Sequence, residues 1–249
     1  GPIVSTPLYL LGKISESPPF WCARYNSFLI VLAAAVLLWI LRKKADGSFT
    51  RKFVLIILAA SMYTHHAQHY YGEVFTTLLV MLGLTLVARG NCLAGWALAA
   101  IGTVNTPATI VGLALAAGYY AYISRKIRYL IPVAAVVALV LLENWLRYGD
   151  PTAIGYRHEV GFKTLMPYSG RPGFSYPLFF GLLSIFLSFG KGILWFAPGL
   201  LLWPRRFADK LGETLYLSWK LWIWYLVGVI LIYARWFGWY GGWLWGPRY

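Results

Sequence analysis

The sequence predicts an all-α, polytopic integral membrane protein, and three observations support this fold class: composition, a series of apolar runs, and the placement of basic residues. Of the 249 residues, 59% are hydrophobic and 12% are charged, about half the charged share usual in soluble domains. Because an open sheet cannot satisfy its backbone in lipid, each apolar run is predicted to be helical. We expect a bundle of about seven to nine transmembrane or re-entrant helices.

The predicted helices follow the apolar runs in order, and the first begins after an N-terminal piece that is predicted to be a connection. The runs lie at residues 26–41, 53–63, 74–88, 92–101, 110–123, 130–146, 178–203 and 215–234. Several are shorter than the roughly 20 residues of a full crossing, so helices must extend past the runs or break within the membrane. Asn105-Thr106-Pro107 is either a bend inside the membrane or an ordinary short loop.

The basic residues predict the orientation. Every second connection between spans is basic. These four connections carry twelve of the 22 lysines and arginines: residues 42–52, 89, 125–128 and 205–210. The positive-inside bias assigns them to the cytoplasm and the other connections to the outer face, in a bacterial inner or plasma membrane. The net charge of +14 does not indicate nucleic acid, because these residues punctuate apolar runs and form no stripe on a soluble domain.

The residues 1–249 are predicted to form a single transmembrane domain. Gly1 is not a methionine, no signal peptide follows it, and Tyr249 lies within an aromatic segment. We therefore expect a chain that lacks an N-terminal helix with its first outer loop, and a C-terminal continuation. Cys22 and Cys92 are predicted on opposite sides of the membrane, as packing residues.

The C-terminal segment 235–249 is rich in tryptophan, glycine and arginine and follows an apolar run of twenty residues. One interpretation is an aromatic belt in the headgroup layer. The other is a binding surface for an amphipathic ligand, with rings against its apolar part and arginine on an anionic head. The candidate binding residues are Arg235, Trp239, Trp243 and Arg248.

A second candidate site precedes the third apolar run. In a helix His65, His69 and Glu73 would share one face, where imidazole and carboxylate side chains can hold a divalent metal. Glu73 alone can instead bind a substrate hydroxyl or leaving group, since an acid at the mouth of an apolar helix is often functional. The alternative is an interfacial turn whose side chains lie in the headgroup region.

The loop 147–177 interleaves tyrosines with charged residues and can receive a polar acceptor or lipid-linked phosphates. Its candidates are Tyr148, Asp150 and Arg157; the alternative is a solvated loop with paired charges. Lys191, between two glycines, either meets a phosphate as a point charge or snorkels to the interface, since a true phosphate loop is absent. Glu143 either joins the site or hydrogen-bonds a neighbouring helix.

Several segments together resemble the GT-C class of polyprenyl-phosphate-sugar glycosyltransferases, including the protein O-mannosyltransferases and aminoarabinose transferases. The matching elements, in the family's order, are Gly1-Pro2 with Pro7-Leu8-Tyr9-Leu10, Gly72-Glu73, Tyr148-Gly149-Asp150-Pro151 with Gly155-Tyr156, residues 190–198, and residues 239–248. Two departures are Asn105-Thr106-Pro107, where relatives often have Arg-Pro, and Phe189, which replaces a frequent proline.

The resemblance implies transfer of a sugar from a polyprenyl phosphate at the extracytoplasmic face to a lipid, glycan or protein acceptor. It implies that Glu73 matches the acid that opens the third family helix, that residues 239–248 line a substrate groove, and that the principal base precedes Gly1. A non-catalytic accessory or scaffold subunit of a larger membrane complex is the alternative. A transporter is disfavoured because the ionisable residues cluster towards one face.

Overall fold

The computed structural model of this chain describes residues 2–42, 47–48, 51–52, 55, 72–153, 168, 170–189, 192–196 and 205–238. These residues form an all-helical structure without a β-strand. Four stretches are long and apolar enough to cross a membrane, namely Pro18–Ile40, Pro107–Ser124, Ile127–Tyr148 and Gly212–Tyr233. The described part of the chain is thus an all-α structure of the kind found in integral membrane proteins, as the composition predicts.

Ten α-helices occur in the described residues. They are α1 (Pro2–Ile14), α2 (Pro18–Ala23), α3 (Tyr25–Leu41), α4 (Gly72–Ala88), α5 (Cys92–Asn105), α6 (Ile110–Ser124), α7 (Ile131–Tyr148), α8 (Leu178–Leu187), α9 (Ile193–Phe196) and α10 (Arg205–Tyr233). Short 3-10 turns, Pro107–Thr109 and Ile127–Leu130, precede α6 and α7. The backbone of Gly212 is not helical, so α10 is kinked there.

Most helices coincide with predicted apolar runs, but two regions differ. The N-terminal piece, predicted as a connection, forms α1 and α2, which turn closely at Gly12: a Cβ there would lie 2.5 Å from the Cα of Pro18. The run 178–203 is broken, because α8 ends at Leu187 and Gly192 turns back to donate its N–H to the carbonyl of Ser188 at 2.6 Å. The run 53–63 lies outside the described residues, apart from Leu55.

Two compact units share the chain. Unit 1 contains Gly1–Thr106 and Ala208–Lys220, and unit 2 contains Pro107–Phe207 and Leu221–Tyr249. Helix α10 therefore contributes residues to both units.

Unit 1 is organised by the antiparallel hairpin of α4 and α5, whose backbones touch. A Cβ on Gly83 would lie 2.6 Å from the carbonyl oxygen of Gly95, and a Cβ on Gly95 equally close to that of Gly83. Only glycine permits this approach. Helix α3 packs on α4 through an apolar cluster of buried side chains: Ile30, Ala33, Leu37, Ile40, Val74, Leu78 and Leu82.

Unit 2 packs α6 and α8 against the second half of α10. A Cβ on Gly112 would lie 2.7 Å from the carbonyl oxygen of Tyr225, and one on Gly181 would overlap the backbone of Ala234. The start of α8 and the end of α10 share a buried cluster formed by Tyr176, Ile185, Tyr233 and Ala234. These contacts bring the segment before α8 beside the segment after α10.

Candidate functional site

In unit 1 a network of polar side chains joins the first turn of α4 to the end of α5. The Asn105 Nδ2 donates to the carbonyl oxygen of Gly72 at 2.9 Å and lies 3.2 Å from the hydroxyl of Thr76. Thr76 donates in turn to the carbonyl oxygen of Gly102 at 2.8 Å. A hydroxyl carries one proton, so the Thr106 hydroxyl, 2.8 Å away, donates to Thr76. This network fixes the position of Gly72.

Glu73 follows Gly72 and is held by the same network. Its carboxyl group lies in the first turn of α4, where the helix dipole favours a negative charge. The side chain is half-buried and makes no hydrogen bond or salt bridge with the residues that the structure describes. The backbone beside Glu73 is thus held in place, and no described side chain pairs with its carboxylate, which suits a base or substrate-binding group.

His65 and His69, which were predicted to hold a divalent metal together with Glu73, lie outside the described residues. Within the described ranges no group of three or more His, Cys, Asp or Glu side chains could hold a metal ion. The divalent metal therefore remains a prediction. The Asn105-Thr106-Pro107 segment, predicted as a bend or a loop, ends α5 and is followed by the 3-10 turn before α6.

In unit 2 the loop before α8 pairs with the chain after α10. The Tyr176 N–H donates to the carbonyl oxygen of Arg235 at 2.9 Å, and the Phe237 N–H donates to that of Gly173 at 3.0 Å. The Arg235 Nε donates to the carbonyl oxygen of Phe174 at 3.3 Å. These bonds hold two segments together that are about sixty residues apart in sequence.

Arg171 lies on the same loop above a group of aromatic rings. Its Cζ is 5.1 Å from the ring centroid of Tyr168, and its Nη1 donates to the carbonyl oxygen of Ser175 at 3.2 Å. The Tyr168 ring lies 5.0 Å from that of Phe180 at the start of α8. A guanidinium has five N–H donors, and no carboxylate of the described residues pairs with Arg171. Several of its donors can therefore bind an anion.

An apolar groove lies along α8, and its first lining side chain, Phe179, is linked to Arg171 through the rings of Phe180 and Tyr168. The groove has a volume of about 340 Å³, within the usual size of ligand pockets. Phe179, at its start, packs edge-on against Phe180 at 5.6 Å. The lining side chains are Phe179, Leu182, Leu183, Phe186, Leu187 and Leu194. Unit 2 therefore presents a cation, then aromatic rings, then an apolar groove, and we name this arrangement the arginine–groove surface.

The other predicted residues of unit 2 have different surroundings. Tyr148 is exposed at the end of α7. The Asp150 carboxylate accepts hydrogen bonds from the N–H and the hydroxyl of Thr152, at 2.8 and 2.7 Å, and so stabilises the turn after α7. Glu143 pairs with Arg147 of its own helix at 2.8 Å. Among the described residues the partner of Glu143 is thus an i,i+4 arginine of its own helix, and both predicted roles stay predictions.

Arg235 is exposed at the edge of the paired loop, as a binding residue must be. The remaining predicted residues lie outside the described part of the chain: Arg157, Lys191, Trp239, Trp243 and Arg248. Arg171 and Trp236 were not predicted as binding residues; the Trp236 ring lies tilted against Phe174, with centroids 4.8 Å apart. The available signal was Gly170-Arg171-Pro172-Gly173, a turn sequence that presents a single arginine between tyrosines.

No protein-family model, curated protein or solved structure matches this chain. The function of this chain is therefore inferred from the residues of the site itself.

Proposed function

We propose that this chain is a GT-C-like membrane glycosyltransferase, built as a bundle of about seven to nine helices, that uses a polyprenyl-phosphate sugar at the extracytoplasmic face of a bacterial plasma membrane. The observation that carries the proposal is the arginine–groove surface. Its succession of guanidinium, aromatic rings and apolar groove matches the succession of phosphate and hydrocarbon in such a donor. The acceptor is a lipid, glycan or protein.

The groove supports lipid binding because all six of its lining side chains are apolar. An isoprenoid chain within the membrane can lie along such a surface through van der Waals contacts, since lipid gives no hydrophobic driving force of its own. In this proposal the phosphate of the donor meets Arg171, which is joined to the start of α8 by the ring contacts of Tyr168 with Phe180. A charge-assisted hydrogen bond from guanidinium to phosphate is roughly twice as strong as a neutral one.

The chemistry is a displacement at the anomeric carbon. An acceptor hydroxyl attacks, the bond from carbon to phosphate oxygen breaks, and the phosphate leaves with the bonding electron pair. Arginine offsets the charge that develops on the phosphate. Glu73 is the carboxylate we assign to the acceptor, either as base or as binding group, with a divalent metal as a further partner. The role of Arg171 in donor binding and the role of Glu73 are tested separately.

The donor arm compares Arg171→Ala with Arg147→Ala in nanodiscs that contain a polyprenyl-phosphate sugar. Arg147 is an exposed arginine that pairs with Glu143 on α7, so it is a matched control for the loss of one charge. Loss of hydrogen bonds to a charged group costs about 1.5–3 kcal/mol. We therefore expect donor affinity to fall about tenfold to a hundredfold for Arg171→Ala and to stay unchanged for Arg147→Ala. Equal affinities would contradict the proposed donor site.

The acceptor arm compares Glu73→Gln with the unsubstituted full-length protein. If the carboxylate is a base, sugar transfer should fall by about two to four orders of magnitude. Donor affinity should not change, which distinguishes this role from a loss of fold. Unchanged sugar transfer would contradict the proposed role of Glu73, but it would not contradict the proposed donor site.

A scaffold subunit of a membrane complex is the second candidate, and the surface of α7 favours it. Only Val136 is buried among the residues of that helix, while Leu139, Trp145 and Leu146 are exposed. A photo-crosslinking amino acid at position 139 would capture a partner protein in native membranes if the chain is a scaffold. Capture of lipid alone would disfavour this candidate.

A further inference from the structure

A second cationic and aromatic group lies in unit 1, at the end of α4 opposite to Glu73. Trp39 is in the last turn of α3, and its side chain is 55% exposed. The Cζ of Arg42, which caps α3, lies 5.4 Å from the indole centroid. The Cζ of Arg89, which follows α4, lies 5.8 Å from the same centroid. Two guanidinium groups from two helices therefore converge on one exposed indole ring.

The convergence follows from the packing of α3 on α4. One buried cluster joins the two helices, and the residues that follow both of them, Arg42 and Arg89, meet at the ring of Trp39, so the helices run in the same direction. Their C-terminal ends then lie at one end of unit 1. Arg42 and Arg89 belong to two connections that the charge distribution assigns to the same side of the membrane. The structure thus brings together residues 47 positions apart in sequence.

The local charge favours an anion between the two arginines. Neither guanidinium pairs with a carboxylate of the described residues, whose one salt bridge joins Glu143 to Arg147. A cation–π contact at an exposed site is worth only about 0.5–1 kcal/mol, and two like charges on one ring repel each other. A shared phosphate would offset that repulsion and use the guanidinium donors.

An apolar stripe leads from the indole along α3. Phe28, Val31, Leu32 and Trp39 are exposed, and positions 28, 32 and 39 recur at helical spacing, so they share one face. Exposed fractions of 69% for Val31 and 61% for Leu32 leave this face open to hydrocarbon. The order along α3 is therefore apolar stripe, indole, then two guanidinium groups, which is the order of acyl chain, interface and headgroup in a phospholipid.

We propose that Trp39, Arg42 and Arg89 form a binding site for an anionic phospholipid. The two guanidinium groups bind the headgroup phosphate, the indole lies at the depth of the glycerol backbone, and an acyl chain lies along the stripe of α3. This site is independent of the proposed sugar transfer, because Glu73 lies at the other end of α4. Free phosphate and zwitterionic lipid are the competing ligands, and the experiment distinguishes them.

The test uses native mass spectrometry of the detergent-solubilised chain with phosphatidylglycerol, and counts the lipid that stays bound. The double variant Arg42→Gln/Arg89→Gln should retain roughly tenfold less, since each basic residue contributes to anionic-lipid attraction. The matched control is Arg125→Gln/Lys126→Gln, which removes two exposed charges predicted on the same side. An equal loss in the control would overturn the site in favour of general charge attraction.

Two further arms complete the test. Arg42→Lys/Arg89→Lys keeps both charges but loses the planar fork, so retention should fall to an intermediate level even if the glutamine variant folds poorly. Phosphatidylcholine should bind much more weakly than phosphatidylglycerol, and millimolar inorganic phosphate should not displace the bound lipid. Equal retention of the two lipids, displacement by phosphate, or full retention by the lysine variant would each contradict the proposal.

Discussion

The α4–α5 hairpin and α7 are both apolar, but they place their apolar surface differently. Helix α4 buries ten of its seventeen residues, and its backbone touches α5 at Gly83 and Gly95. Helix α7 is one residue longer and buries Val136 alone. The two shorter helices of the hairpin fall below the length of a candidate span, whereas α7 forms most of one. Hydrophobicity therefore identifies helices that suit a membrane but not those that pack against protein.

The difference has a physical cause. Inside a membrane, lipid is as apolar as leucine, so helices associate through close van der Waals packing and hydrogen bonds. The hairpin supplies both, with Gly83, Gly95 and Gly102 at the contact and Thr76 bonded across it. Helix α7 contains no glycine and carries large aliphatic side chains on most of its surface. Small residues at the contact, more than total hydrophobicity, distinguish the packed helix.

The largest effect is expected where the backbones touch. In Gly95→Ala the new methyl group would lie 2.6 Å from the Gly83 carbonyl oxygen, so the hairpin must separate or distort. We expect a loss of about 3 kcal/mol in the free energy of unfolding, measured by denaturation in mixed micelles. Gly118→Ala in α6 is the matched control, since no described atom outside its own stretch of helix lies within 4 Å of its Cβ position. An equal effect in both variants would show that backbone contact does not define the hairpin.

An intermediate effect is expected from the polar network. Thr76→Val leaves the Asn105 amide and the Thr106 hydroxyl without their shared partner. The expected cost is about 1–2 kcal/mol, since two part-buried polar groups lose one partner each and hydrogen bonds between membrane helices are individually modest. Thr77→Val changes the adjacent, exposed threonine and should be neutral. If Thr77→Val destabilised the hairpin as much, the network would not be the cause.

The smallest effect is expected on α7. The Glu143–Arg147 pair is 39% and 65% exposed at its two side chains, and exposed pairs of this kind contribute about 0.2–1 kcal/mol. A double-mutant cycle with Glu143→Gln and Arg147→Met should give a coupling energy in that range. A coupling well above it would indicate that α7 is shielded by a partner and so would favour the scaffold function.

The sequence predicts the helices better than it predicts their surroundings. The runs at 74–88, 110–123 and 130–146 coincide with α4, α6 and α7, because hydrophobicity alone decides which segments leave water. Helix α1 was predicted as part of a connection; its Pro2 occupies the first turn, where the missing N–H is harmless, while Pro7 lies inside the helix. Such exceptions depend on which N–H groups need a partner, and the apolar pattern does not show this.

The candidate site was predictable only in part. Glu73 stands out as an acid beside an apolar helix, but its attachment through Asn105 joins residues 33 positions apart. The contacts of Arg171 depend on loop pairing, since Gly173 and Tyr176 bond to the segment after α10. Neither contact has a spacing that helical or strand periodicity could reveal.

The pairing of the loop before α8 with the chain after α10 can form only late in biosynthesis. The Arg235 Nε bonds to the carbonyl of a residue 61 positions earlier. At a synthesis rate of about 5–20 residues per second, these partners leave the ribosome roughly 3–12 s apart. Throughout that interval the loop of Arg171 lacks the pairing that holds it, so a chain arrested before residue 235 would carry the groove of α8 without a fixed arginine above it.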